Sequence, residues 1–197
     1  MRIIVGLVCA LLGTAALAQE GMYAGLGYGA FDYEEKFVDP VLGRVSETTS
    51  LVKLVGGFEF NDYFALEINY GKSGDIEERG TYFDLNVLQD VEYAIYTDFT
   101  ITSFKAIGRV PFNWGSLLGG LGYYSSSNDF LQTFSTPGFP TFSQEIPFDD
   151  DGLTYMAGLE WRFGRFGKPY RIRAEYETWD ISELDLSAVN LIFSFGF

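Results

Sequence analysis

The last nine residues of the chain indicate its fold, and they read Val189-Asn190-Leu191-Ile192-Phe193-Ser194-Phe195-Gly196-Phe197. Large apolar side chains occupy every second position, and the positions between them are mostly small or polar. Successive side chains of a β-strand point to opposite faces of its sheet. This alternation therefore predicts a strand with one apolar face.

The stretches 22–29, 64–71 and 171–177 alternate in the same way, and full charges or glycines stand between their apolar residues. The chain holds 19 Phe and 13 Tyr, too many to pack inside a barrel of 197 residues. A barrel with apolar side chains facing lipid and polar ones facing the lumen resolves this problem. Backbone groups in hydrocarbon must all be hydrogen-bonded, so such a sheet has to close.

The predicted fold is all-β, an eight-stranded antiparallel up-and-down transmembrane β-barrel. The eight predicted strands cover residues 21–33, 48–60, 63–73, 95–110, 116–126, 153–164, 170–180 and 184–197. Tight turns are predicted at 61–62, 113–115 and 165–168, and long polar loops at 34–47, 74–94 and 127–152. Short turns on the periplasmic side and long loops on the extracellular side are typical of outer-membrane barrels.

The N-terminal residues are typical of a secretory signal. Arg2 precedes an apolar run over 3–12, and Ala16-Leu17-Ala18 has the small-x-small pattern of a cleavage site. We therefore predict a signal peptide over 1–18 and a mature barrel domain over 19–197.

The charge balance and the absence of histidine exclude several classes of function. The chain has 13 Lys and Arg against 27 Asp and Glu; loss of Arg2 leaves 12 against 27, a net charge of −15. Such an acidic chain argues against nucleic-acid binding. Histidine, the side chain best suited to acid–base catalysis at neutral pH, is absent, and no Ser or Cys nucleophile stands beside a base. We expect no enzymatic activity, no catalytic residue, no cofactor and no metal site.

Several short motifs resemble the OmpA-type small outer-membrane β-barrel family. They are Tyr23-Ala24-Gly25-Leu26-Gly27-Tyr28, the hairpin 56–67, Ala157-Gly158-Leu159-Glu160-Trp161, Arg173-Ala174-Glu175-Tyr176 and the terminal Phe193-Ser194-Phe195-Gly196-Phe197. The resemblance implies a location in the bacterial outer membrane and a transmembrane barrel without a periplasmic domain. It also implies that Phe197 is the signal read by the barrel-assembly machinery during insertion.

Four charged residues are predicted to face the lumen at similar depth: Glu67, Lys105, Glu160 and Arg173. They match positions that form an interior ion-pair cluster in OmpA-type barrels, sometimes described as a gate. Neighbouring strands are expected to pair Glu67 with Lys105 and Glu160 with Arg173. An eight-stranded barrel is just wide enough for side chains to fill it, so a filled lumen and a gated pore both fit this cluster.

The favoured function is a non-enzymatic barrel that serves envelope structure or surface interaction, like an adhesin or receptor. A small low-conductance pore and a soluble lipid-binding periplasmic barrel are the alternatives. Expected partners are outer-membrane lipids, lipopolysaccharide, the assembly machinery and a surface ligand held by the three long loops; we expect a monomer. The loop 127–152 carries five phenylalanines, which either form a partner surface or fold onto the barrel rim: Phe130, Phe134, Phe139, Phe142 and Phe148.

Overall fold

The computed structural model describes residues 21–35, 46–84, 88–163, 170–181 and 184–197. The predicted signal peptide, most of the loop 34–47 and the turn 165–168 lie outside these residues. Ten strands are present: β1 Met22–Glu35, β2 Ser46–Asn61, β3 Phe64–Ser73, β4 Ile76–Asp84, β5 Gln89–Thr97, β6 Phe99–Phe112, β7 Gly115–Ser135, β8 Phe142–Phe163, β9 Tyr170–Asp180 and β10 Leu184–Gly196. Within the described ranges, no helix is long and apolar enough to span a membrane.

Eight of the strands form a closed antiparallel barrel. Its order is β1-β2-β3-β6-β7-β8-β9-β10, and β10 returns to pair with β1, where Tyr23 lies opposite Gly196. The start of β1 and the end of β10 therefore lie at the same end of the barrel, as an even number of strands requires. The predicted eight-stranded transmembrane β-barrel is confirmed.

The predicted loops 74–94 and 127–152 are largely wrong, because the chain forms strands there. Strands β4 and β5 make a hairpin, and β5 pairs with the upper part of β7. The β7–β8 ladder continues as far as Phe134 opposite Phe142. Beyond the membrane neither face of a strand has to meet hydrocarbon, so the alternation that marks a spanning strand is weaker there. We call β4, β5, β7 125–135 and β8 142–151 the extracellular sheet.

On each barrel strand the run of apolar outward residues ends at one position, and the outward residues beyond it are mostly polar. On β7, Leu121 and Tyr123 are 53% and 54% exposed, and the next outward residues are Ser125 and Ser127. The last apolar outward residues on the other strands are Ala30, Val52, Tyr70, Phe104, Leu153, Tyr176 and Val189. So much exposed apolar surface is expected against lipid and not against water.

Aromatic side chains border this apolar band at both ends. On the periplasmic side the rings of Phe112 and Trp114 are 4.5 Å apart, and Trp114 stacks on Trp161 at 6.0 Å. On the extracellular side the outward aromatics are mainly tyrosines, including Tyr28 and Tyr176. Rings with one polar edge favour the membrane–water interface, so the two girdles mark its two levels.

Candidate functional site in the barrel lumen

The four predicted luminal residues all lie inside the barrel. Glu67, Lys105, Glu160 and Arg173 are each at most 1% exposed. Glu67 lies directly opposite Lys105 in the β3–β6 ladder, and Glu160 lies opposite Arg173 in the β8–β9 ladder.

The ion pairs expected between these neighbours are wrong. Arg173 Nη2 donates to Glu67 Oε2 at 2.6 Å, and Lys105 Nζ donates to Glu177 Oε1 at 2.9 Å. In the barrel order, β9 stands opposite β3, so the Arg173–Glu67 pair spans the lumen. Long inward side chains converge on the axis of a narrow barrel, and they therefore reach acids on the far wall more readily than the residue beside them.

Three residues that the sequence analysis did not select complete this part of the lumen. Lys53 Nζ donates to both Glu175 and Glu177, and all three side chains are at most 2% exposed. Glu177 also accepts from Thr154 Oγ1 at 3.0 Å. Glu175 and Glu177 alternate onto the same face of β9 as Arg173, so the periodicity already placed them in the lumen.

A second group of charges lies nearer the periplasm. Glu59 accepts from Arg171 Nη2 at 2.5 Å, from Arg162 Nη2 at 3.2 Å and from Arg109. Glu160 accepts from Arg162 Nε at 2.9 Å, and its other oxygen lies 3.8 Å from Arg109 Nη2.

Tyr23 connects the two groups. Its hydroxyl donates to Glu67 Oε2 at 2.8 Å, while the guanidinium of Arg171 lies 4.7 Å from its ring centroid. A cation over an aromatic face is stabilised by the ring quadrupole. The ring fits because position 57 is glycine; a Cβ at Gly57 would overlap it.

Together these groups make a luminal charge network, defined as Lys53, Glu59, Glu67, Lys105, Arg109, Glu160, Arg162, Arg171, Arg173, Glu175 and Glu177. Bases and acids nearly balance, as burial requires, since an unpaired charge in a low dielectric is strongly unfavourable. Among the described residues, no group of three or more His, Cys, Asp or Glu side chains is placed to hold a metal ion. The network can fill the lumen or move ions by exchanging partners.

An apolar cluster occupies the lumen above the network, and we call it the apolar cap. Its rings include Phe31, which lies 5.5 Å from Phe99 and 5.8 Å from Trp179. The members are Phe31, Tyr33, Leu51, Ile76, Phe99, Ile101, Tyr124, Trp179, Ile181, Leu184, Leu186 and Ala188. A cavity of about 10 Å³ lies between Lys53 and Trp179, where network and cap meet. That volume is about the minimum for one water molecule.

The family model for the outer membrane protein beta-barrel domain matches residues 4–197. The chain belongs to this family. It is therefore a protein of the bacterial outer membrane, as the resemblance to OmpA-type barrels implied. A comparison with curated proteins finds no match.

Solved structures support the same fold for this family member. Ail, the attachment invasion locus protein of Yersinia pestis, is 20% identical, with a TM-score of 0.55 over 91% of this chain and 100% of that one. Ail in complex with the heparin analogue sucrose octasulfate matches at 20% identity over the same shares, with a TM-score of 0.51. Neisserial surface protein A is 12% identical, with a TM-score of 0.51 over 90% of this chain and 97% of that one.

The phenylalanines of the predicted loop 127–152 divide between the two expected arrangements. Phe130 and Phe148 pack against the apolar cap. Phe139 and Phe142 are 57% and 59% exposed. Phe134 is partly buried. Phe130 and Phe148 therefore fold onto the barrel rim, and Phe139 and Phe142 lie on the exposed surface.

Phe197 lies at the periplasmic end of the β1–β10 seam. Its backbone N–H donates to the carbonyl of Met22 at 3.1 Å, and its ring lies 5.5 Å from that of Phe195. This placement leaves the residue beside the lipid-facing surface. Recognition of Phe197 by the barrel-assembly machinery stays a prediction.

Proposed function

We propose that this family member is a non-enzymatic barrel with a closed lumen, which serves envelope structure and surface interaction through its extracellular sheet. The observation that carries the proposal is the filled lumen. The luminal charge network occupies the periplasmic and middle levels, and the apolar cap occupies the level above them.

Two barriers in series would oppose the passage of an ion. In the network, an ion has to separate buried pairs such as Lys105–Glu177, and stranding a buried charge costs about 3–5 kcal/mol. In the cap, it has to pass packed aromatic rings that offer it few polar partners. A lumen built in this way favours a structural role over transport.

The extracellular sheet supplies the surface for interaction. Its strands extend β7 and β8 well beyond the apolar band, and exposed side chains such as Phe139 and Phe142 stand at its tip. Ail is named as an attachment invasion locus protein. Because its fold is similar to that of this chain, we propose a role in surface interaction for this chain as well. In the described part beyond the band, acids greatly outnumber the two bases Lys72 and Arg79. We therefore do not expect it to bind a sulfated polyanion.

A gated pore is the second candidate, and one observation favours it. Several buried polar atoms of the network have no hydrogen-bond partner among the described residues, including Arg109 Nε, Arg171 Nη1 and Glu160 Oε2. Such atoms are where water or a passing ion would find partners.

Planar-bilayer recording of the refolded barrel separates the two candidates. We expect no conductance steps from the wild type. The double variant Phe31→Ala/Trp179→Ala opens the apolar cap, and it tests whether the luminal charge network alone blocks ions. Wild-type steps whose size changes with Arg173→Gln would instead support the pore.

A hairpin deletion tests the surface role independently. Replacing residues 129–147 by an Asn-Gly turn keeps the Asn128–Phe148 pair and removes the tip of β7 and β8. Cells with this variant should resist detergent as wild-type cells do, yet lose any attachment that the full protein confers. Equal attachment with and without the hairpin would contradict a role for the extracellular sheet.

A further inference from the structure

The periplasmic group of luminal charges carries more positive than negative charge. Its members are three bases, Arg109, Arg162 and Arg171, and two acids, Glu59 and Glu160. The remaining members of the network are balanced, with three bases and three acids: Lys53, Lys105, Arg173, Glu67, Glu175 and Glu177. Among the described residues, the network therefore holds one positive charge in excess, and this charge belongs to the periplasmic group.

Neither an outside carboxylate nor the loss of a proton removes this excess. Asp62 lies 3.7 Å from Arg162, but its carboxylate is 79% exposed, so it is hydrated and compensates little inside the barrel. All three bases of the group are arginines, whose guanidinium stays protonated in proteins. An unbalanced charge in a buried site is strongly unfavourable. A further negative charge is therefore expected beside these arginines.

The same arginines hold hydrogen-bond donors that the protein does not use. Arg109 Nε and Nη2 and Arg171 Nε and Nη1 are buried and have no hydrogen-bond partner among the described residues. The nearby acid Glu160 does not fill this role, because its Oε2 lies 3.8 Å from Arg109 Nη2, too far for a hydrogen bond. Guanidinium N–H groups only donate, so a partner for them must be an acceptor.

Tyr23 brings the two sets of donors together. The guanidinium of Arg171 lies 4.7 Å from the Tyr23 ring centroid, and that of Arg109 lies 5.8 Å from the same point. Both arginines are at most 4% exposed. A water molecule can accept hydrogen bonds there, but it brings no charge. A small anion satisfies the donors and the charge balance together.

Charge and access narrow the class of anion. A monovalent anion cancels an excess of one charge, whereas a divalent oxyanion would leave the group negative. The side chains of Arg162 and Glu59 are 28% and 15% exposed, so a small ion can enter the group from the periplasmic end. The apolar cap lies on the other side of the network. An ion that enters from the periplasm therefore reaches these arginines without crossing the barrel.

We infer that the periplasmic group binds one small monovalent anion of the chloride type between Arg109 and Arg171. The inference goes beyond the proposed structural role, because it assigns a resident ion to the lumen. The two arginines come together only in the folded barrel, so the anion binds the folded state and stabilises it.

Bromide locates the site directly, because it replaces chloride and scatters X-rays anomalously. Crystals of the refolded barrel grown in sodium bromide should show an anomalous peak in contact with the guanidinium groups of both Arg109 and Arg171. A map with no peak between these two side chains would overturn the inference. This measurement uses the wild type and does not depend on the folding of any variant.

Urea unfolding at constant ionic strength, with gluconate exchanged for chloride, measures the effect on stability. Above the Kd, a tenfold rise in chloride should raise the folding equilibrium constant of the wild type about tenfold. Arg171→Gln removes the excess charge and should abolish this dependence. Glu160→Gln adds a second excess charge and should lower the chloride concentration at which stabilisation begins. Arg79→Gln is the matched control, because it removes an exposed arginine of the extracellular sheet, and it should behave as the wild type does.

The variants separate a site from a general effect of salt. An equal chloride dependence in wild type and Arg171→Gln would show a non-specific salt effect and overturn the inference, as would a wild type that does not respond to chloride. A heat-induced gel shift checks that each variant is folded, and Arg109→Gln replaces Arg171→Gln if the latter does not fold. None of these outcomes depends on whether the lumen conducts.

Discussion

Replacement of Arg173 by methionine tests whether the luminal pairs cross the barrel. In the structure, Arg173 contacts Glu67 on the opposite wall at 2.6 Å, although its ladder neighbour is Glu160. Methionine fills much of the same volume, so little of the loss comes from a cavity. The main effect is that Glu67 keeps its charge and, among the described residues, retains only the Tyr23 hydroxyl as a hydrogen-bond donor.

The expected size of the effect follows from burial. Breaking a buried pair by removing one partner costs about 3–5 kcal/mol of unfolding free energy. In a Glu67→Gln background no charge is stranded, so the same replacement should cost less, giving a coupling energy of about 1.5–3 kcal/mol. In a Glu160→Gln background the coupling should be below about 1 kcal/mol, because the two side chains do not pair.

Urea unfolding of the refolded variants in detergent, followed by tryptophan fluorescence, measures these free energies. Leu66→Ala is the control, because it truncates a lipid-facing side chain next to Glu67. A larger coupling of Arg173 with Glu160 than with Glu67 would refute the pairing across the lumen. A loss below about 1 kcal/mol for Arg173→Met would mean that the lumen is hydrated.

Three further predictions concern packing, assembly and processing. Gly57→Val should destabilise the barrel by about 1–3 kcal/mol, because it displaces the tyrosine ring that lies against it; Gly119→Ala, whose new Cβ meets nothing within 4 Å, should be near neutral in the same unfolding assay. Phe197→Ser should lower insertion in cells but leave refolding in detergent nearly intact, as membrane fractionation and gel shift would show; equal failure in both would argue for a purely structural role. N-terminal sequencing of protein from outer membranes should begin at the residue after Ala18, and a retained Met1 would contradict the predicted signal.

The bilayer explains why most of the fold was predictable. Hydrocarbon demands an apolar residue at every outward position of a spanning strand, so alternation such as that of 189–197 is enforced. No such demand applies above the membrane, so the sequence pattern predicts loops where β4, β5 and the extensions of β7 and β8 lie. In addition, β5 pairs with β7, which is a contact between strands far apart in sequence, such as Tyr93 with Phe134.

The luminal site was predictable in part for a related reason. Periodicity gives the face of a residue, so Glu67, Lys105, Glu160 and Arg173 could be placed inside. It does not give the residue across the axis, which depends on strand number and stagger. The apolar cap was missed because apolar inward residues such as Phe31 are unexpected in a lumen identified by its polar positions.

The luminal pairs also bear on the order of events in folding. Lys53 and Glu175 are 122 residues apart in sequence, and Arg173 and Glu67 are 106 apart. Strands β2 and β3 meet β9 across the lumen, so these contacts form only when β1 and β10 have joined. Contacts that form after the transition state slow unfolding and leave the folding rate nearly unchanged. We therefore expect the luminal charge network to lower the unfolding rate of the closed barrel and to leave its folding rate nearly unchanged.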